Sequence, residues 1–122
     1  MKDFVLLFRQ PEHDEPEISE IEKKASIKRW EDWFGGIAAQ GKLLSMGIRL
    51  NEQGKVLKKG GVITDGPFVE IRERLNGFII VRSDSLEEAT TLAHGCPTLD
   101  RDGTVEIRPY RAEEQPKIKG FK

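Results

Sequence analysis

One cysteine, Cys96, stands in a chain of 122 residues. A lone thiol excludes an internal disulfide and a thiolate zinc cage within one chain. Long apolar runs are missing too. The longest unbroken one, Phe4 to Phe8, is five residues, against about 20 for a membrane span and about 7 to 15 for the apolar region of a signal peptide. That shortage predicts a cytoplasmic protein with no membrane partner. Charge of one sign is also lacking: 20 Lys and Arg stand against 21 Asp and Glu. Such a balance gives no overall electrostatic reason to bind nucleic acid.

What is present suits a folded domain. Hydrophobic residues make up 37% and charged residues 34% of the chain, enough to bury a core while keeping a soluble surface. The length predicts one domain over 1–122, with a core of about 3–111 and a tail over 112–122.

Asp3 to Arg9 reads as a strand, because FVLLF is short and apolar, and Gln10 to Glu17 reads as an exposed acidic loop. The period then changes. Ser19 with Glu22 fits a capping box, and Ile27, Trp30, Phe34 and Ile37 recur at helical spacing, so one helix runs to near Gly41. Gly35 and Gly36 inside it point either to a kink or to the close passage of another backbone. Leu44, Met46, Ile48 and Leu50 alternate with Leu43, Ser45, Gly47 and Arg49, which predicts a strand with the first set buried. Asn51 to Gly54 supplies a turn. Lys55 to Arg74 reads as a polar hairpin arm punctuated by Gly60-Gly61 and Asp65-Gly66-Pro67, and Asn76-Gly77 as the turn into the next strand, Phe78 to Arg82. Ser85 with Glu88 opens a second helix whose buried face is Leu86, Ala89, Leu92 and Ala93, closed by Gly95 and Pro97. The last strand is Thr104 to Tyr110.

This order is βαββαβ with an inserted arm, an α+β pattern that suits a ferredoxin-like sandwich. In that topology the first and third main strands are central. Helices cover one face of the sheet only, so central strands ought to alternate unless the other face is covered as well. FVLLF and FIIV do not alternate. A second copy of the sheet is the simplest cover, giving a homodimer with an enclosed space between the sheets.

ITDGPFVE, Ile63 to Glu70, resembles the signature of the DGPF proteins, a branch of the YCII-related superfamily. GKLLSMGIRL, NGFIIVRSDSLEEA and CPTLDRDGTVEIRPY are similar to further segments of that family in order and spacing. The resemblance implies a ferredoxin-like fold assembled as a dimeric α+β barrel, and it implies no reaction. It also implies a transcription-related protein partner, since DGPF proteins are often encoded beside, or fused to, transcription sigma factors. Many YCII proteins carry a first-helix histidine that is proposed to act with an aspartate. Counted back from Gly41, its position holds Trp30 here, so that imidazole chemistry does not carry over.

Asp65-Gly66-Pro67-Phe68 can present a carboxylate at a cavity rim, or can simply build a turn with Phe68 packed beneath it. Arg49, projecting opposite the Leu44-Met46-Ile48 set, would reach the space between the sheets and bind an anion there, or act as an ordinary surface charge. His94 ends the second helix, where an imidazolium interacts favourably with the helix dipole. His94 and Cys96 are too few ligands for zinc, and Asp100 to Gly103 fails the pattern of a calcium loop, so no metal and no cofactor are expected. Trp30, Trp33 and Phe34 line a cavity or pack the core, and helical spacing favours packing.

Two functions remain. The first is a non-enzymatic dimeric module that binds a small molecule or regulates a partner, with Arg49, Asp65, Gly66, Pro67, Phe68 and His94 as ligand-binding candidates. The second is a small cofactor-independent enzyme with Asp65 as general acid/base, Arg49 or His94 orienting an anionic substrate. The missing helix histidine, metal set and phosphate-cradling loop favour the first.

Overall fold

A computed structural model describes residues 1–11, 19–51, 53–66, 73–110, 114 and 116–120. The elements in order are β1 (Lys2–Pro11), α1 (Glu20–Ala39), β2 (Leu43–Arg49), β3 (Gly54–Lys58), β4 (Val62–Gly66), β5 (Glu73–Ser83), α2 (Leu86–Ala93), a short 3₁₀ turn over Pro97–Arg101, and β6 (Thr104–Pro109). Four strands form one antiparallel sheet in the order β2-β5-β1-β6, while β3 and β4 pair as a separate two-stranded sheet. With the arm set aside, the first and third main strands are central and the second and fourth lie at the edges. The result is an α+β fold with an antiparallel sheet and two helices, compatible with a ferredoxin-like sandwich. No helix among the described residues is long and apolar enough to cross a membrane.

Both helix starts follow from their capping serines. Ser19 Oγ accepts from the Glu22 amide at 3.2 Å and Ser85 Oγ from the Glu88 amide at 3.1 Å, each satisfying an amide that the first turn leaves without a partner. Helix α1 runs unbroken through Gly35 and Gly36, and a β-carbon added at either would meet open space. No backbone of the described residues passes close to the pair. After α2, Gly95 takes a left-handed φ of 84° and Pro97 opens the 3₁₀ turn.

The core lies between the helices and one face of the sheet. Phe4, Leu6 and Phe8 of β1 are buried there with Ile79 and Val81 of β5, Trp33 and Ile37 of α1, and Ala89, Leu92 and Ala93 of α2. Trp33 also links the helices, its indole N–H donating to the Leu92 carbonyl at 3.0 Å inside the core. Leu86, expected on the buried face of α2, is exposed instead.

The opposite face carries Val5 and Leu7 of β1, which pair with Ile80 and Phe78 of β5. All four are half-buried. Ile48 of β2 pairs with Phe78 and extends the apolar area to the sheet edge. Charged pairs border it: Arg82 Nε donates to Asp3 at 3.1 Å, and Arg9 bonds Glu106.

Several strands differ from the sequence reading. β1 continues through Gln10 and Pro11, because β5 extends beside it. β5 itself starts at Glu73, so Asn76-Gly77 makes no hairpin turn. Phe8 pairs with Gly77 and Arg9 with Leu75, which leaves Asn76 as the extra residue of a bulge. The bulge is secured by Asn76 Nδ2 donating to Gln10 Oε1 at 3.0 Å and by the Leu50 amide donating to the Asn76 carbonyl at 2.8 Å.

β2 is the third difference. Its register against β5 slips between Leu43 and Ser45 and again between Ser45 and Ile48, so two bulges break the alternation. Leu43 packs against the core, whereas Leu44, Met46, Ile48 and Leu50, expected to be buried, are exposed. Gly47 makes the second slip possible. It has a φ of +58°, and a β-carbon there would stand 1.7 Å from the Phe78 carbonyl oxygen.

The arm forms as a hairpin with Lys59, Gly60 and Gly61 at its tip, the two glycines at φ +90° and +81°. Leu57 pairs with Ile63, and both side chains are exposed. The reach from Pro67 to Arg72 lies outside the described residues.

Candidate functional site

Helix α1 overhangs the edge strand β2, and a cavity of 330 Å³ opens between them. Ile27, Trp30, Glu31 and Phe34 line it from the helix, Met46 to Arg49 from β2, and Phe8, Phe78 and Ile79 from the sheet behind. The helical period that builds the core also builds this wall. Trp33 and Ile37 point into the core, while Trp30 and Phe34, one turn apart, are half-buried and pack against the core as well as facing the cavity. The two sequence readings of the aromatic stripe therefore both hold, for different residues.

Phe8, Trp30, Trp33 and Phe34 brace one another. Phe8 meets Trp30 and Trp33 edge-on, with ring centroids 5.3 and 5.8 Å apart, and Trp30 and Phe34 are 5.6 Å apart. Edge-to-face contact of this kind fixes ring orientation. The wall of the cavity is thus rigid where Trp30 forms it.

Arg49 supplies the cationic group. It pairs with Gly77, whose own partner Phe8 points to the helices, so Arg49 is on the helix-covered side of the sheet. Its guanidinium carbon stands 4.9 Å from the centroid of the Trp30 ring. The expectation that Arg49 reaches the space between two sheets is corrected: Leu43 and Arg49 both stand on the helix side, because the two bulges between them cancel and the odd-numbered set meets the helix at both ends of β2. Arg49 makes no ion pair with a carboxylate among the described residues. Cation–π contact holds the guanidinium without consuming its N–H donors, and no group among the described residues accepts from them. Beneath Arg49 and Trp30 a narrow crevice is lined by Gln10, Asn76 and Thr98.

The remaining candidates lie elsewhere. Asp65 and Gly66 are the last two residues of β4 rather than part of a turn, and the Asp65 side chain is 92% exposed, taking an ion pair from Lys55 across the hairpin at 2.7 Å. Pro67 and Phe68 lie outside the described residues. His94 caps α2 and faces a separate depression with Gln40 and Thr91. Arg49, Asp65 and His94 thus border three different cavities of one chain.

Cys96 is buried, and burial pushes its thiol up from the ordinary value, away from the thiolate that reaction or metal binding would need. No group of three or more metal-ligating side chains occurs among the described residues. Lys42, just before β2, bonds Glu88 of α2, and this contact holds the Glu88 carboxyl below its ordinary range.

The cavity was only partly legible in sequence. Ile27, Trp30 and Phe34 were visible as a helical stripe, and Arg49 as an anion-binding candidate. Met46 and Ile48 read in sequence as part of a buried face. The signal that could have joined them is Gly47, an isolated glycine inside a strand pattern, which marks a bulge. Among comparisons with known proteins, the model of the YCII-related domain matches residues 12–114. No curated protein matches the chain.

Proposed function

The chain belongs to the YCII-related domain family, and from that premise we propose that it works as a homodimeric small-molecule-binding module of the DGPF branch. The branch rests on the segment Ile63 to Glu70. One observation carries the binding function: an apolar cavity of 330 Å³ with a braced tryptophan and an arginine that has no ion-pair partner among the described residues. That volume falls at the lower end of the range of ligand sites, and apolar walls with a few placed polar groups are their usual makeup.

The dimer is supported by the sheet face that the helices leave open. Its centre is Val5, Leu7, Phe78 and Ile80, and its border is the Asp3–Arg82 and Arg9–Glu106 pairs. An apolar centre within a polar rim is how protein interfaces are organised. Face-to-face stacking of two such sheets would complete an α+β barrel.

Asp65 has a structural part in this reading. Exposed and ion-paired with Lys55, it lacks the seclusion of a general base. Asp65→Asn is expected to leave fold, dimer and ligand binding unchanged.

Two measurements on the purified protein test the proposal. Light scattering at micromolar concentration is expected to give twice the 13.9 kDa chain mass, and a monomer overturns the dimer. A fragment screen by NMR is expected to shift the Trp30 indole and not that of Trp33. If no fragment moves Trp30, the cavity is not a binding site.

A further inference from the structure

We infer that the cavity at Trp30 and Arg49 takes a small, flat, apolar monocarboxylate. This inference rests on the binding function proposed above and adds the chemical class of the ligand.

The charge of the ligand follows from Arg49. A guanidinium offers five N–H donors in a planar fork that matches a carboxylate with two parallel bonds. Here Trp30 holds that fork from one side at 4.9 Å, so less freedom is lost when an anion binds. Two other arginines of the sheet are engaged differently, Arg9 with Glu106 and Arg82 with Asp3. Arg49 has no such carboxylate among the described residues and lines the cavity itself.

The body of the ligand follows from the walls. Trp30 and Phe34 present aromatic surface and Ile27 adds an aliphatic side, so a flat ring system gains stacking or edge-on contact with its polar end at Arg49. Glu31 limits the class to a single negative charge. It is exposed on the same cavity, where a second carboxylate or a phosphate on the ligand would be repelled.

The test uses the whole protein and two probes of one shape, 2-naphthoate and the uncharged 2-naphthamide, with affinities read by isothermal titration and binding position by the Trp30 indole resonance. Naphthoate is expected to bind about tenfold or more tighter than naphthamide, the scale of one charge-assisted hydrogen-bonded contact. Arg49→Gln is expected to erase that preference while leaving naphthamide affinity and the melting temperature unchanged, and Glu31→Gln to tighten naphthoate alone. If naphthamide binds as tightly as naphthoate in the unaltered protein, the anion class is overturned while the cavity stands. If the preference survives Arg49→Gln, another cation is responsible and the assignment to Arg49 is wrong. If neither probe moves Trp30, the cavity itself fails as a site, and both this inference and the binding function fall.

Discussion

Val5 and Leu7 belong to the same strand as Phe4, Leu6 and Phe8, and they are no less apolar. Their environments are opposite. The even-numbered set is sealed under two helices, with Leu6 at 0% exposure, whereas the odd-numbered set is half-buried on an open sheet face. Hydrophobicity alone does not separate them. What separates them is which side of the pleat meets a helix, and a strand that keeps apolar side chains on both sides carries one set for the chain's own core and another for a surface it must cover in some other way. The contrast gives one face to the chain's own core and, in the proposed dimer, the other to association.

Leu6→Ala tests the sealed face and should have the largest effect. A fully buried leucine cut back to alanine costs about 2 to 5 kcal/mol, so urea melts should show a loss in that range with no separate change in chain association once the protein is folded. Leu7→Lys tests the open face. The variant should remain folded by circular dichroism but scatter as a single chain, because a lysine at the centre of a stacked interface would be buried without a partner. If Leu7→Lys destabilises the chain as much as Leu6→Ala and leaves its mass unchanged, the two faces are not functionally distinct.

Ser85→Ala is smaller and probes the helix that seals the inner face. Its hydroxyl accepts from the Glu88 amide, and losing that cap should cost about 1 kcal/mol while naphthoate affinity at the Trp30 cavity stays the same. The smallest effect belongs to Glu88 itself. Lys42 holds its carboxyl below the ordinary range, so the folded state binds the proton less readily than the unfolded one. The contribution is present above the ordinary carboxylate pKa and is lost as pH falls through the lowered folded value. Glu88→Gln should therefore flatten the acid side of a stability-versus-pH curve and change little at low pH, as followed by thermal melts from pH 7 down to pH 3.

Much of the architecture was legible because its signals are local. Ser19 and Ser85 cap the helices at the predicted residues, and FVLLF and FIIV lie in the two central strands. Asn76-Gly77 misled because the dipeptide that favours hairpin turns also suits a bulge, and only the strand beside it distinguishes the two. The paired Gly35-Gly36 pointed to a kink or a close neighbour, yet α1 passes through both residues with open space around them. Of the candidate site, Arg49 and Trp30 could be singled out separately, but nothing near either in sequence indicates that 4.9 Å separates guanidinium and ring.

The sequence by itself determined the element order, the helix caps, the central pair of strands and the apolar character of both their faces, because each depends on a residue's own side chain and its neighbours within about one helical turn or a few strand positions. Tertiary structure alone decided which face of β2 meets the helix, that Arg49 lies over Trp30, and that Asp65 and His94 stand apart from them. The reason is the register of an edge strand. With a side-chain period of two, each extra residue exchanges inside for outside, so the two slips of β2 cancel and leave Leu43 and Arg49 on one side, a register set by pairing with β5, about thirty residues further along the chain.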